Sequence, residues 1–298
     1  MCSGAFDEID YAKVPSCARL KYANAFKKRD PEGYGAYLQA VAQGEKKMNV
    51  GQLFPYQLVE EYISFIGNKK TKQLDDETAN TMWGEMVRTT REALVKSGAN
   101  LQALGVADVS GSMAGVPLAN SVALSLLWAE LCEGPFKGHF YTFSSRPTLV
   151  KIKGTTLEEK VKNVMKKVYI ESTNVQALFE DLLTHAKMWK VPKEQYPKTI
   201  YMFTDGQFDS MTENSGETNF QAIRRKHAEA GYPLPQIVFW NLRGDTLDFP
   251  VSANEKEVAL VSGFSQSMMK LFLQGGKIDP ISVMMKAISG PEFEKITI

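Results

Sequence analysis

Residues 101–115 read LQALGVADVSGSMAG, an apolar run that ends in a cluster of oxygen-bearing side chains. Asp108, Ser110 and Ser112 stand at alternate positions, and Gly111 permits a sharp turn between them. An apolar strand that leads into Asp-x-Ser-x-Ser builds a core poorly but presents oxygen ligands well. The stretch therefore predicts a buried strand with a polar site at its carboxyl end.

After residue 99, apolar runs bounded by turn residues alternate with stretches of helical periodicity. The predicted strands are Leu101–Ala107, His139–Phe143, Leu149–Ile152, Thr199–Phe203, Gln236–Trp240 and Val258–Val261. The predicted helices are Val116–Leu131, 156–168, 174–190, 217–230, 265–274 and 280–288. The alternation predicts an α/β fold with a doubly wound, mainly parallel sheet. Because the gap between the second and third strands suits a hairpin, we expect one antiparallel edge strand.

Residues 1–98 show helical spacing of apolar side chains and no strand-like alternation. A third helix is predicted over Leu53–Ile66, with Pro55 in its first turn. The stretch Asp75–Lys96 begins with acidic residues and ends with a basic one, which suits the dipole of a helix. The sequence thus predicts an all-α N-terminal region, 1–98, followed by an α/β domain, 99–298.

Composition excludes several classes of protein. The 298 residues are 44% hydrophobic, which excludes disorder, and no run approaches the roughly 18 apolar residues of a membrane span. With 35 basic and 34 acidic residues, the net charge of +1 gives no field that would draw the chain to DNA or a membrane. The three cysteines lack any CxxC pairing, and the N-terminus does not read as a signal peptide. We therefore expect a cytoplasmic, intracellular protein.

Two further segments should meet the first polar cluster, because ligands of such sheets lie at the carboxyl ends of strands. Asp205 follows the fourth predicted strand, and Thr173 opens the helix at 174–190. The combined set has two carboxylates and three hydroxyls, without His or Cys, which is what Mg²⁺ or Mn²⁺ prefers. Because hydroxyls are neutral, the ion would keep positive charge and attract an external carboxylate or phosphate.

Each segment also allows a plainer interpretation. Asp-x-Ser-x-Ser and Thr173 are both compatible with ordinary helix N-caps, and Asp205 with a simple Asp-Gly turn. Asn241 and Arg243 follow the fifth strand and could form a partner-binding rim around the metal. Alternatively, Arg243 pairs with a surface acid.

At Asp108, Ser110, Ser112, Thr173 and Asp205, the sequence resembles the metal-ion-dependent adhesion site of von Willebrand factor A domains. More of the chain resembles the DUF2828 family, which joins a helical N-terminal region to a von Willebrand A-like domain. The stretches that carry this second resemblance are Leu53–Pro55, Pro135–Gly138, Ile237–Arg243, Ala259–Ser265 and Lys286–Gly290. The layout is also similar to the Ro ribonucleoprotein autoantigen. The resemblance implies three metal-binding loops and an ion that bridges to an acidic residue of a partner.

Catalytic motifs are missing: the sequence has no HExxH, no G-x-S-x-G elbow and no P-loop. We therefore predict a non-catalytic module that docks a Glu or Asp of a protein partner through Mg²⁺ or Mn²⁺. One alternative is a Ro-type component that binds structured RNA. Another is a metal-dependent phosphohydrolase, in which the same ion acts as a Lewis acid.

Overall fold

A computed structural model describes residues 6–63, 74–96, 98, 101–144, 146–166, 174–205, 219–243, 258–262 and 285. Within these ranges the helices are α1 (Ser16–Arg29), α2 (Pro31–Ala42), α3 (Tyr56–Val59), α4 (Asp76–Lys96), α5 (Val116–Leu131), α6 (Leu157–Met165), α7 (Val175–Met188) and α8 (Asn219–Ala230). The strands are β1 (Ala103–Asp108), β2 (His139–Phe143), β3 (Thr148–Lys151), β4 (Thr199–Thr204), β5 (Gln236–Asn241) and β6 (Val258–Ser262). The predicted helices at 265–274 and 280–288 lie outside the described residues, apart from Met285.

The strands form one sheet in the order β3-β2-β1-β4-β5-β6. Every neighbouring pair is parallel except β2 and β3, which are antiparallel. The predicted doubly wound sheet with one antiparallel edge strand is therefore confirmed, and β3 is that edge strand.

Successive side chains along the strands point to opposite faces of the sheet, and each face packs into its own apolar core. Ala107 of β1 belongs to the core that α5 and α6 cover, and Val106 belongs to the core under α7 and α8. The connection that leaves β1 thus crosses one face, while the connection that leaves β4 crosses the other. Because β1 and β4 are neighbours, a crevice opens between the outgoing chains at their carboxyl ends, where open α/β sheets bind ligands.

The helical N-terminal region covers α5. This helix is apolar on all sides, and 13 of its 16 residues are buried, as expected of a helix covered on every side. Its inner side lies on the sheet, where Trp128 stacks on Tyr201 with 4.4 Å between ring centroids. Its outer side contacts α3 and α4, and Trp83 Nε1 of α4 donates to Glu130 Oε1 (3.0 Å). One continuous core therefore extends from the N-terminal helices to the sheet.

Close contact between α5 and β1 depends on Gly105. A Cβ at this position would lie 3.2 Å from the Cα of Ser125 and 3.6 Å from a ring atom of Phe203. Because Gly105 has no side chain, the backbone of α5 can approach β1 closely at this position.

The third N-terminal helix is shorter than predicted. Instead of running through Ile66, α3 ends at Val59 and one 3₁₀ turn continues to Tyr62; Ile63 is already extended. Bonds to the segment that begins α4 hold the chain there: Tyr62 OH donates to Asp76 Oδ1 (2.8 Å), and Glu61 Oε2 accepts from the Leu74 N–H (3.2 Å). Tertiary contacts therefore override the helical periodicity in this segment.

Candidate functional site

Two predicted carboxylates meet at the carboxyl edge of the sheet. Asp108 is the last residue of β1, and Asp205 directly follows the neighbouring β4. Both are buried, with 1% and 0% of their surfaces exposed. Although 97 positions separate them in the sequence, the sheet topology brings them to the same crevice.

Both oxygens of the Asp108 carboxylate accept a hydrogen bond. Oδ1 accepts from the backbone N–H of Ser110 (3.0 Å), and Oδ2 accepts from Thr204 Oγ1 (2.8 Å). A carboxylate offers about four lone-pair sites, so these two bonds orient Asp108 and leave it able to coordinate a cation. Sequence reasoning missed Thr204; its position directly before Asp205 at the end of an apolar run was the available signal.

Burial raises the pKa of the Asp108 carboxyl to about 6. The bonds from Ser110 and Thr204 oppose this shift, while the negative charge of Asp205 adds to it. Two carboxylates in one buried crevice repel each other, and a cation between them would relieve that repulsion.

The hydroxyls of Ser110 and Ser112 lie next to each other, with 3.0 Å between their Oγ atoms. Ser110 precedes a 3₁₀ turn at 111–113 that contains Ser112, and α5 begins only after this turn, with Gly115 as its N-cap residue and no side-chain cap. Gly115 has φ +92°, which favours glycine. The alternative interpretation of Asp-x-Ser-x-Ser as the N-cap of this helix is therefore wrong.

Thr173 lies outside the described residues, but its neighbour Asn174 is described. The Asn174 side chain caps α7 by accepting from the Ala177 N–H (2.9 Å), so Thr173 is not the N-cap. The Asn174 N–H donates to the carbonyl oxygen of Ser144 (3.4 Å), just past β2. The start of α7 thus lies at the same carboxyl edge of the sheet. Gly206 is also outside the described residues, so the alternative interpretation of Asp205-Gly206 as a simple turn is not tested.

Asn241 and Arg243 lie at the end of β5 and link it to the first polar loop. Asn241 is 2% exposed, and its Oδ1 accepts from the Arg243 N–H (2.7 Å). Arg243 Nη1 donates to the carbonyl oxygen of Ser112 (3.0 Å). Trp240, one residue earlier, is buried in the core beside Phe203.

The donors brought together here fit a hard divalent cation, because all of them are oxygens of carboxylates or hydroxyls. Among the described residues, no group of three or more His, Cys, Asp or Glu side chains could hold a metal. The predicted set has two carboxylates, so hydroxyls and water would complete the coordination. No helix in the described part of the chain is both long and apolar enough to cross a bilayer.

Family models cover both parts of the chain. Residues 102–294 match the domain of unknown function DUF7788, and residues 1–94 match the domain of unknown function DUF2828. The chain belongs to the DUF7788 family, and its predicted DUF2828 membership is confirmed over residues 1–94. Four of the five stretches that suggested DUF2828 fall instead within the DUF7788 match.

One curated relative aligns with nearly the whole chain. The chain is 30% identical over 303 aligned residues to "Uncharacterized protein L728" of Acanthamoeba polyphaga mimivirus, covering 97% of this chain and 51% of the relative. The chain thus spans about half the length of this curated relative. Among solved structures, the RO (RSR) protein of Deinococcus radiodurans aligns with TM-score 0.48 and 14% identity, over 92% of this chain and 53% of that one.

Proposed function

We propose that this chain is a non-catalytic binding module that holds Mg²⁺ or Mn²⁺ at the crevice between β1 and β4 and docks an acidic residue of a protein partner. The proposed ligands are Asp108, Ser110, Ser112, Thr173 and Asp205. The observation that carries the proposal is the pair of buried carboxylates, Asp108 and Asp205, at the ends of adjacent strands. The loop that follows Asp108 carries the hydroxyls of Ser110 and Ser112, whose Oγ atoms are 3.0 Å apart.

Charge balance supports a cation in this crevice. Burying one carboxylate without a counter-charge is costly, and burying two side by side is more so. Mg²⁺ would offset both charges and keep positions for water, since it is rarely enclosed by a full protein cage. One of those positions is open to a Glu or Asp of a partner.

Arg243 supports docking of an anionic group. Its guanidinium is half-buried and bonded to the carbonyl of Ser112, so a positive charge stands beside the metal loop. A partner carboxylate that reaches the ion would also be attracted by this charge. The proposed ligand set contains no group besides its own carboxylates to act as a general base, which favours docking over catalysis.

Isothermal titration with Mg²⁺ tests the metal. We expect the wild-type chain to bind one ion, and Asp108→Asn and Ser112→Ala to abolish or strongly weaken binding. Asp181→Asn is a matched control, because Asp181 lies on α7 and accepts a hydrogen bond from Tyr141 of β2, away from the crevice. Circular dichroism establishes that each variant folds. Ser112→Ala removes only a half-buried hydroxyl, so it keeps the test valid if Asp108→Asn fails to fold. Equal binding by wild type and Ser112→Ala, or none by wild type, would contradict the proposal.

Docking is tested separately with Mn²⁺ and acetate, an analogue of the Asp side chain. Water bound to protein-held Mn²⁺ enhances proton relaxation, and acetate that takes an open position should reduce the enhancement. If acetate leaves the enhancement unchanged, the docking role fails and the metal site stands.

The phosphohydrolase alternative is tested in the same preparation. With Mn²⁺ and p-nitrophenyl phosphate, we expect no release of p-nitrophenol. Turnover that disappears in Asp108→Asn would show a catalytic ion and overturn the non-catalytic role.

A further inference from the structure

Trp189 is exposed at the end of the sheet opposite the polar crevice. The chain has four tryptophans, and Trp83, Trp128 and Trp240 are 2%, 3% and 2% exposed, whereas Trp189 is 38% exposed. It follows the last residue of α7, next to Met188, which is 63% exposed. Exposing a large aromatic and a methionine side by side costs hydrophobic free energy, so this location calls for an explanation.

Three other rings hold the indole in place. The ring centroids of Phe136, His139 and His185 lie 5.4, 5.3 and 5.5 Å from that of Trp189. Phe136 is 1% exposed, so the indole is anchored to the core on that side. An aromatic ring that is fixed and partly open to solvent loses little conformational entropy when a flat group stacks on it.

Lysines flank these rings on three separate segments. Lys137 lies two residues before His139, and Lys151 is the residue opposite His139 in the β2–β3 pair. Lys190 directly follows Trp189, and all three lysines are exposed. We call Trp189, His139, His185, Lys137, Lys151 and Lys190 the Trp189 surface.

Carboxylates near this surface already have partners. Asp181 Oδ2 accepts from Tyr141 OH (2.8 Å) and pairs with His185 Nδ1 (3.0 Å). Glu133 pairs with Arg91 (3.5 Å). Within the described ranges, no carboxylate lies at ion-pair distance from the ammonium groups of Lys137, Lys151 or Lys190.

We propose that the Trp189 surface binds a single-stranded nucleic acid. The indole would stack on one base, and the three ammonium groups would contact phosphates on either side of it. This combination of an aromatic platform with a positive flank is what sequence-tolerant single-strand binding needs. We favour this occupant over an acidic protein because every nucleotide carries both a flat base and a phosphate, whereas an acidic peptide carries a flat group only where an aromatic residue or an arginine occurs.

The local positive charge of this surface is not apparent from the net charge of the chain. With a net charge of +1, the whole chain has no long-range attraction for a polyanion. Binding should therefore be moderate, local and strongly dependent on salt. The surface lies at the amino end of β2, away from the carboxylates at the carboxyl ends of β1 and β4. It is thus independent of the proposed metal site.

Fluorescence anisotropy of a labelled single-stranded RNA of about 12 nucleotides tests the proposal. The titrations are run in EDTA, so that the metal site plays no part. We expect binding at low salt that Trp189→Ala weakens roughly tenfold or more, the effect of losing one base stack. Because only Trp189 is appreciably exposed, its intrinsic fluorescence should be quenched as the complex forms. A DNA strand of the same sequence should bind comparably, since no contact involves the 2′-hydroxyl.

A triple variant, Lys137→Glu with Lys151→Glu and Lys190→Glu, tests the phosphate contacts. It should bind much more weakly, and the slope of log K against log salt should fall by about two, as expected for the loss of three phosphate contacts. The matched control makes the same charge change at three exposed lysines of the N-terminal region, Lys28 on α1 and Lys46 and Lys47 after α2. This control should bind the RNA within a few-fold of wild type.

Three results would overturn the proposal. They are absence of binding by the wild-type chain at low salt, equal affinity of Trp189→Ala and wild type, and equal loss in both triple variants. Sedimentation of the free protein adds a fourth: a dimer that Trp189→Ala dissociates would mean that a second copy covers the indole.

Discussion

Arg243 and Ser112 are 131 positions apart, and the Arg243 guanidinium donates to the Ser112 carbonyl oxygen at 3.0 Å. This bond ties the end of β5 to the loop that carries both serine hydroxyls. The loop is also anchored through Asp108 and through the buried side chains of Val109 and Met113, and Arg243 adds a polar restraint at Ser112.

Arg243→Ala should therefore loosen the loop at 109–115. A hydrogen bond that involves a charged group contributes about 1.5–3 kcal/mol, so local opening should become roughly tenfold or more frequent. Hydrogen exchange with mass spectrometry of peptides from this loop measures the change. Arg225→Ala, which removes an exposed ion pair on α8, should leave the loop unchanged. Identical exchange in Arg243→Ala and wild type would show that the bond does not restrain the loop.

Asp205→Asn should remove the stabilisation that Mg²⁺ gives to the folded chain. An ion that binds only the folded state at 100 times its Kd raises the free energy of unfolding by about 2.7 kcal/mol. Thermal melts with and without Mg²⁺ should therefore show a rise in Tm for wild type and none for Asp205→Asn. If the variant keeps the full rise, Asp205 does not hold the ion.

His227 should make stability depend on pH. Burial lowers its pKa, and its neutral ring is satisfied by the Ile223 carbonyl at Nδ1 (2.9 Å) and by Tyr196 OH at Nε2 (3.1 Å). Since the unfolded chain binds the proton more tightly, the stabilisation is complete above the unfolded pKa of about 6.5 and is lost as pH falls.

The loss due to His227 should reach about 1.4 kcal/mol per pH unit between the unfolded and folded pKa values. Urea unfolding of wild type and His227→Gln from pH 7 to pH 5 isolates it, because other titrating groups, His139 included, contribute equally to both proteins. Parallel pH profiles would contradict this assignment.

Gly105→Ala should destabilise the chain because the added Cβ meets the backbone of Ser125 at 3.2 Å. Overpacking of this kind costs about 1–3 kcal/mol. Gly84→Ala is the matched control: Gly84 lies inside α4, its Cβ would have nothing within 4 Å, and alanine there should stabilise by up to about 1 kcal/mol. Urea unfolding should therefore give opposite signs, and a stabilising Gly105→Ala would refute the close approach.

The sequence predicts the strands to within two residues at each end, because buried parallel strands read as continuous apolar runs. It also predicts Asp108 and Asp205 at one edge, since polar residues that end two such runs must meet where the strands are parallel. The length of α3 was not predictable, because bonds from Glu61 and Tyr62 to residues near α4 decide where it ends.

The missed contacts at the candidate site share one cause. Thr204 donates to Asp108 across 96 positions, and Arg243 reaches Ser112 across 131. No local pattern encodes such pairs. The Trp189 surface was not predicted for the same reason, since its lysines lie on three segments that only the fold brings together.

The helix α5, apolar all round and enclosed between the sheet and the N-terminal helices, bears on how the protein can be divided. A fragment that begins near residue 99 would leave the outer flank of this helix facing water, with nothing to shield it from other molecules. Such a fragment should aggregate during expression. The regions that match the two families would therefore have to be produced together as one inseparable piece.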